Sequence, residues 1–344
     1  MASTLIVQSP AVAAPLAVDI HAHFYPESFL KLIEEAGSPF GMRLNRTAKG
    51  PTILRGDAPG TPPLDATYWD LDRRRRVMDR QGVTVHALSL TQPMVYWADG
   101  ELGVRLARAV NDAMSEAHRA FPDRFVGCAT LPMQDPRRAL DELTRVAALP
   151  GIRGVYLGTN VNGRELSEPE FAPIFERCEA AKLPVLLHPI NVLGGPRLQR
   201  FYLHNLLGNP FDTAVAAAQL IFGGVLDRYK KLEVCLPHAG GAFPYLAGRL
   251  ERGQRVRPEA KETARRPVAD YLRRFTYDTI SHSPDALRFL VDTVGADRVM
   301  LGSDYCFDMG YERPREVVTQ KLKLSRADQT RILGTTAARL LRLS

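Results

Sequence analysis

Two histidines lie two residues apart in the segment V-D-I-H-A-H, at positions 21 and 23. The apolar run around them predicts a β-strand, in which side chains alternate between faces, so His21 and His23 point the same way. Buried imidazoles are costly without partners, and a metal ion is a natural partner for two on one face. The pair therefore indicates a metal site at the end of a strand.

Three further residues that can bind a metal ion or transfer a proton lie at the ends of later apolar runs: His188 in P-V-L-L-H, His238 in V-C-L-P-H and Asp304 in V-M-L-G-S-D. Taken singly, each could be a residue that caps a helix or a core residue whose polar atoms have hydrogen-bond partners. Together, three imidazoles and a carboxylate suit one divalent ion, zinc first and manganese as the alternative. The predicted ligands are His21, His23, His188 and Asp304. His238 is the candidate acid–base, since an uncoordinated imidazole can exchange protons near neutral pH.

Eight apolar runs of strand length must position these residues, at 17–23, 85–90, 125–131, 154–158, 184–188, 232–238, 275–280 and 299–304. Helical stretches lie between them, for example at 102–120, 136–148, 169–181, 211–228 and 284–294. Continuous apolar runs suit strands that are buried on both faces. Eight β-then-α units predict an α/β fold, a parallel sheet closed into a (β/α)8 TIM barrel. The carboxyl ends of its strands form the active-site face, where all five residues would meet.

Residues 24–69 interrupt this alternation, because they are rich in Gly, Pro and Thr and carry no strong helix signal after Ala36. They follow the first strand and so leave the barrel at its catalytic face. We expect a small insertion there, either a lid or a small β subdomain. The rest predicts a single domain over residues 1–344, since such barrels routinely use about 250 residues or more as one domain.

Composition excludes several classes of protein. Hydrophobic residues make up 45% of the chain and charged residues 24%, which is ordinary for a globular enzyme. The net charge is +7, but the basic residues do not gather with aromatic ones in a module that binds nucleic acid. No apolar run approaches the roughly 20 residues of a membrane span. We therefore expect neither nucleic acid nor membrane as a partner.

The cysteines bear on the cellular compartment. Cys128, Cys178, Cys235 and Cys306 lie far apart and form no CxxC pair, which indicates reduced thiols. The Ala/Pro-rich N-terminal arm carries no Lys or Arg, so the positive start of a secretory signal is missing. Both observations predict a cytoplasmic protein.

With these residues in view, the chain closely resembles the aminocarboxymuconate-semialdehyde decarboxylase family, a branch of the amidohydrolase superfamily. The resemblance runs from Asp19 to about Leu341. It rests on D-I-H-A-H at 19–23, W-D at 69–70, the R-x-M-D-x-x-G-V-T-V run at 76–85, R-F-V-G-x-A-T-L-P-M-Q ending at 134, H-P at 188–189, G-G-V at 223–225, H-A-G-G-A-F-P at 238–244 and L-G-S-D-Y at 301–305.

The resemblance implies the same four metal ligands and gives His238 the activation of water or the transfer of a proton. It implies release of CO₂ from unsaturated or aromatic carboxylates without an organic cofactor. It also implies a homodimer in which an arginine after the sixth barrel strand binds a substrate carboxylate in the neighbouring subunit. Arg249 matches that position, Arg257 matches another arginine of the region, and Arg55 is the equivalent of the substrate-binding arginine in the insertion.

Three departures from the family pattern fall at substrate-contact positions. The family has Trp-Asp after the H-P of the fifth barrel strand, where this chain has Ile190-Asn191. The family run D-Y-P-F-P-L-G is here Asp304-Tyr305-Cys306-Phe307-Asp308-Met309-Gly310. The spacing between Arg55 and the W-D motif is also altered. The resemblance therefore indicates the metal chemistry more specifically than the substrate.

The function expected from the sequence is metal-dependent, non-oxidative decarboxylation of a small aromatic or muconate-type carboxylic acid. The alternative on the same site is a metal-dependent hydrolase or hydratase, which would use water to attack a carbonyl or an activated double bond. Product analysis separates the two, since one releases CO₂ and the other incorporates water. A non-enzymatic binding protein would instead tolerate replacement of the strand-end histidines.

Overall fold

A computed structural model of the protein describes residues 16–56 and 60–343. The N-terminal arm considered above lies, apart from its last residues, outside the described residues. Within those residues, no helix is both long enough and apolar enough to cross a membrane.

In the described part of the chain, twelve strands form one large sheet and two short hairpins. They are β1 (Val18–His23), β2 (Met42–Thr47), β3 (Gly50–Arg55), β4 (Val85–Ser89), β5 (Phe125–Thr130), β6 (Ile152–Gly158), β7 (Asn160–Val161), β8 (Arg164–Glu165), β9 (Val185–His188), β10 (Val234–Leu236), β11 (Phe275–Asp278) and β12 (Val299–Met300). The large sheet is parallel, in the order β1-β4-β5-β6-β9-β10-β11-β12.

The first and last strands of this sheet meet and close it. The Ile20 amide donates to the Leu301 carbonyl at 2.9 Å, and Ala22 forms a parallel bridge with Tyr305. Every residue of β1, β4 and β5 is buried, as expected for strands covered on both faces. The predicted (β/α)8 TIM barrel is therefore confirmed.

Over residues 16–56 and 60–343, thirteen α-helices follow the strands or cover the ends of the barrel. They are α1 (Glu27–Ala36), α2 (Leu71–Gln81), α3 (Gly100–Ala120), α4 (Pro136–Val146), α5 (Ala172–Ala181), α6 (Asn209–Phe222), α7 (Val225–Arg228), α8 (Phe243–Val256), α9 (Val268–Leu272), α10 (Pro284–Val294), α11 (Pro314–Glu316), α12 (Arg326–Thr330) and α13 (Thr336–Leu341). Asp135 and Ser283 cap α4 and α10 by accepting hydrogen bonds from Arg138 N and Ala286 N. A proline follows each cap, because its fixed φ suits the first turn.

The insertion after β1 contains helix α1 and the antiparallel hairpin of β2 and β3. Arg46 of the hairpin makes a bidentate ion pair with Glu34 of α1, with Nε and Nη2 lying 2.9 and 2.7 Å from the two carboxylate oxygens. At the end of β3, Arg55 donates to Asn191 Oδ1 at 2.7 Å, which joins the hairpin to the segment after β9. The expected small β element is therefore present, whereas its action as a lid remains a prediction.

Several strands end earlier than the sequence predicts, among them the two that lead to His238 and Asp304. β10 stops at Leu236 and β12 at Met300, so His238 and Asp304 lie in turns beyond their strands. Their φ angles are 52° and 61°, a left-handed conformation that a strand cannot contain. The predicted helix at 211–228 is also divided, because Gly224 has a φ of 72° between α6 and α7.

Candidate metal centre

His21 and His23 face the interior of the barrel side by side. Their Nε2 atoms are 3.1 Å apart, and their side chains are 3% and 0% exposed. Asp304 reaches the same point, with Oδ1 3.0 Å from His23 Nε2 and 3.5 Å from His21 Nε2. Three potential ligand atoms from opposite ends of the sequence, two from β1 and one from the turn after β12, thus converge.

His188 and His238 complete the cluster. The His188 ring lies 5.4 Å from the ring of His21 and 5.1 Å from that of His23, between centroids. One ligand atom from each of His21, His188, His238 and Asp304 lies within 4.8 Å of the others. The structure therefore brings together all five residues predicted from the sequence, and the assignment of four ligands and one acid–base stays a prediction.

Three of the four histidines are oriented by a hydrogen bond at Nδ1. His21 Nδ1 donates to Asp278 Oδ2 at 2.7 Å, and His23 Nδ1 pairs with Ser89 Oγ at 3.1 Å. His188 Nδ1 lies 2.7 Å from Thr91 Oγ1 and 3.0 Å from the Pro189 carbonyl. A proton held at Nδ1 leaves the lone pair on Nε2, the atom that faces the cluster.

The electrostatics of the cluster favour a cation. Burial acts to lower the pKa of His21, but the hydrogen bond to Asp278 and the charges of nearby aspartates raise it above its usual value. Burial also acts to raise the pKa of Asp304, yet the neighbouring histidines hold it well below the usual range. For His23, burial outweighs the hydrogen bond and charge of Asp304 and lowers the pKa to about 4. The imidazole of His23 therefore stays neutral, with a lone pair available to a metal ion.

His238 differs from the other three histidines. Its side chain is 15% exposed, and its Nε2 lies 3.8 Å from Asp304 Oδ2. Its Nδ1 is buried and has no hydrogen-bond partner among the described residues. It sits in the turn after β10, where the backbone amides of His238 and Ala239 donate to Asp278 at 3.0 and 2.8 Å. His238 is therefore the histidine most open to a bound molecule and least committed to a partner.

Sequence reasoning missed the residues that orient the histidines, namely Asp278, Ser89 and Thr91. A signal was present, since each is a polar residue within or directly after an apolar strand, as in V-H-A-L-S-L-T and F-T-Y-D. Such residues need a buried partner, but which partner depends on strand order. Tyr156 was also missed. It is buried beside His21, His23 and His188, and its hydroxyl has no hydrogen-bond partner among the described residues.

The two predicted substrate-binding arginines lie outside the cluster. Arg55 pairs with Asn191, three residues after His188. Arg249 is exposed on α8, the helix that follows the turn of His238. Their contact with substrate remains a prediction.

Comparison with known proteins decides the family. Residues 18–343 match the family described as Amidohydrolase. The chain belongs to this family. The 2-amino-3-carboxymuconate-6-semialdehyde decarboxylase of Dictyostelium discoideum is 33% identical over 95% of this chain and 92% of its own length. The resemblance expected from the motifs is thus confirmed.

Two solved structures share the fold of this amidohydrolase. The IDCase of Metarhizium anisopliae in apo form has a TM-score of 0.86 at 28% identity, over 97% of this chain and 99% of its own. The dihydroxybenzoic acid decarboxylase of Polaromonas sp. JS666, with bound manganese and the inhibitor 2-nitroresorcinol, has a TM-score of 0.76 at 27% identity, over 95% of this chain and 97% of its own.

The residues present in this amidohydrolase fit a divalent metal ion. The Nε2 atoms of His21 and His23 lie 3.1 Å apart, and a carboxylate oxygen of Asp304 lies 3.0 to 3.5 Å from them. The lone pairs of these three atoms face one another, and a cation between them would bind all three. Imidazole nitrogen and carboxylate oxygen are the donors that such ions prefer.

The turn that carries His238 generates a first prediction. Gly241 has φ 57° and ψ −131°, and a Cβ there would lie 2.2 Å from the Pro210 carbonyl oxygen. Gly241→Ala should therefore displace the turn, lower the free energy of unfolding by more than about 1 kcal/mol and reduce turnover. Gly248→Ala is the matched control, because its Cβ meets nothing within 4 Å in α8. Equal free energies of unfolding for the two variants in denaturant would contradict a role of Gly241 in holding the turn.

Proposed function

We propose that this amidohydrolase is a metal-dependent carboxy-lyase that removes CO₂, without oxidation, from a small aromatic or muconate-type carboxylic acid. The observation that carries the proposal is the cluster of three oriented imidazoles and Asp304 beside the more exposed His238. The names of the relatives agree, since they include decarboxylases of aminocarboxymuconate semialdehyde, γ-resorcylate and 6-methylsalicylate.

The chemistry divides between the cluster and His238. We assign the ligand role to His21, His23, His188 and Asp304. An ion held by them would act as a Lewis acid toward substrate oxygen atoms. When the carbon–carbon bond to the carboxylate breaks, CO₂ leaves and the electron pair stays on carbon. Protonated His238 donates the proton that this carbon takes up, and solvent restores the proton on His238.

His238 takes this role in preference to that of a ligand for two reasons. Its side chain is the most exposed of the five, and its Nδ1 is not held by a protein group of the described chain. His23, by contrast, is fully buried, held at Nδ1 by Ser89 and in contact with Asp304 through Nε2. A ligand needs a fixed ring, whereas a proton donor needs access to substrate.

We propose zinc as the resident ion, with manganese as the alternative. Three imidazoles with one carboxylate suit zinc. The Polaromonas enzyme carries manganese, so each ion belongs in the test.

We also propose a cytoplasmic location. All four cysteines are free thiols, and Cys128, Cys178 and Cys235 are buried. Reduced thiols of this kind are typical of a reducing compartment.

The test of function is a screen of carboxylated catechols, salicylates and muconates, with zinc and manganese supplied separately. We expect release of CO₂ and, in D₂O, deuterium on the carbon that lost it. The rival hydrolase or hydratase would instead transfer oxygen from labelled water into the product. Oxygen incorporation without CO₂ would reject decarboxylation and support that rival.

His238→Ala tests the division of roles. The variant should keep one metal ion per chain, while turnover falls by about 10²- to 10⁴-fold, the usual contribution of a positioned acid–base group. His23→Ala is the contrast, since it should lose the ion as well. Metal content is measured by elemental analysis after dialysis. If His238→Ala also loses its metal, His238 is a ligand.

We propose a homodimer whose interface includes α8. Tyr245, 85% exposed, lies one helical turn before Arg249 on this helix, so both occupy the same face. The neighbouring segment 193–211 exposes further large apolar side chains: Leu193, Phe201, Tyr202, Leu206, Leu207 and Phe211. Exposed large apolar side chains that lie together are typical of a protein contact. A second copy on α8 would receive Arg249 near its own cluster, where the guanidinium can pair with a substrate carboxylate.

A mixing experiment tests this use of Arg249. Arg249→Ala and His238→Ala chains should each be inactive, and a heterodimer should regain activity at up to half of its sites. The barrel with His238 intact would receive Arg249 from its partner. If Arg249 serves its own barrel, every site lacks one group and the mixture stays inactive. Heterodimers are verified with two affinity tags, and their inactivity would reject the shared site.

A further inference from the structure

We propose that Asp278 is a positioning residue that sets two parts of the site at once: the metal-binding nitrogen of His21 and the direction of His238. The second part rests on the proposed function, which gives His238 the proton transfer. Asp278 ends β11, and its side chain is 1% exposed.

Four N–H groups converge on the Asp278 carboxylate. Oδ2 accepts from His21 Nδ1 at 2.7 Å and from the His238 amide at 3.0 Å. Oδ1 accepts from the amides of Ala239 and Ile280 at 2.8 and 2.9 Å. Both oxygens are thus fully used, and Asp278 joins β1, the turn after β10 and its own strand end.

Only an ionised carboxylate satisfies this arrangement. All four partners are donors, and a carboxylate offers acceptors on both oxygens. An amide offers one oxygen, so its NH₂ group would face two N–H donors at the other position. If that NH₂ faced His21, the imidazole would have to accept at Nδ1 and carry its proton on Nε2. That proton would point at His23 and Asp304, where the metal ion is expected.

The second effect acts through the backbone. His238 and Ala239 have φ angles of 52° and 55°, which cost free energy in residues with a side chain. Their two amides are held by Asp278, one on each oxygen. Loss of these hydrogen bonds lets the turn relax, and the imidazole of His238 then changes direction. A single carboxylate therefore links the geometry of the ligand to that of the proton donor.

The first experiment measures metal binding, which needs no substrate. Asp278→Asn should weaken binding of Zn²⁺ and Mn²⁺ by about 10- to 100-fold in competition with a chelator. Histidine ¹⁵N NMR of the metal-free protein should report a shift of His21 toward the tautomer protonated at Nε2. Unchanged affinity with an unchanged tautomer would overturn the first part. Asp278→Glu keeps a carboxylate and should restore the His21 tautomer in part, which provides a second variant if the asparagine protein folds poorly.

The second experiment is a double-mutant cycle at saturating metal. Asp278→Asn should lower kcat in the otherwise unchanged enzyme, but by less than about 2-fold in the His238→Ala background, because coupled residues are not additive. Glu142→Gln is the matched control, since this buried carboxylate accepts hydrogen bonds from Asn111 and Arg145 on helices α3 and α4. It should leave both metal binding and kcat unchanged.

Equal losses of kcat in both backgrounds would overturn the second part of the proposal. An enzyme that releases no CO₂ from any substrate would reject the proposed function, while the metal-binding and NMR measurements would still decide the role of Asp278 toward His21.

Discussion

A cluster of ionisable side chains almost without contact with water is the constraint on which this structure depends. Burial of such groups costs free energy unless their polar atoms have partners. Here the protein supplies the partner at Nδ1 of His21, His23 and His188. The Nε2 atoms of His21 and His23 meet Asp304 Oδ1 at the centre of the cluster, where a divalent ion would bind. The site is thus defined as much by the residues behind the histidines as by the histidines themselves.

Closure of the barrel makes this arrangement possible. β1 pairs with β4 on one side and meets the segment after β12 on the other. The Asp304 amide donates to the His21 carbonyl at 2.9 Å, so the aspartate is held beside the histidine although β12 has already ended. Ser89 and Asp278 reach β1 from β4 and β11, at different points around the barrel. The partners of one strand therefore come from distant parts of the chain.

The rigid strands allow the functional residues to occupy costly backbone conformations. His238 and Asp304 both have positive φ angles, and each lies in a turn anchored by hydrogen bonds to a neighbouring element. The departures from the family pattern lie in segments of the same kind. Asn191 accepts a hydrogen bond from Arg55, and Phe307 packs against His23 at 5.3 Å between ring centroids. The segments in which this chain departs from the family pattern thus follow directly after His188 and Asp304 in the chain.

The sequence by itself determined the barrel and the five residues of the site. Continuous apolar runs mark strands that are buried on both faces, and the H-x-H spacing places two imidazoles on one side of a strand. Both patterns lie within a short stretch of sequence, so they can be recognised without knowledge of the fold. The exact strand ends at Leu236 and Met300 were not predictable, since they depend on turns with positive φ that neighbouring elements stabilise.

Only the tertiary structure decided the partners of those residues. Asp278 lies 257 positions from His21 in the chain, yet they share a 2.7 Å hydrogen bond. The same holds for Ser89 and His23, and for Arg55 and Asn191. The physical reason is that a hydrogen bond requires atoms within about 3 Å and in the right direction. Strand order and barrel closure bring such atoms together. Neither can be predicted from the few residues that surround any one of these atoms in the sequence.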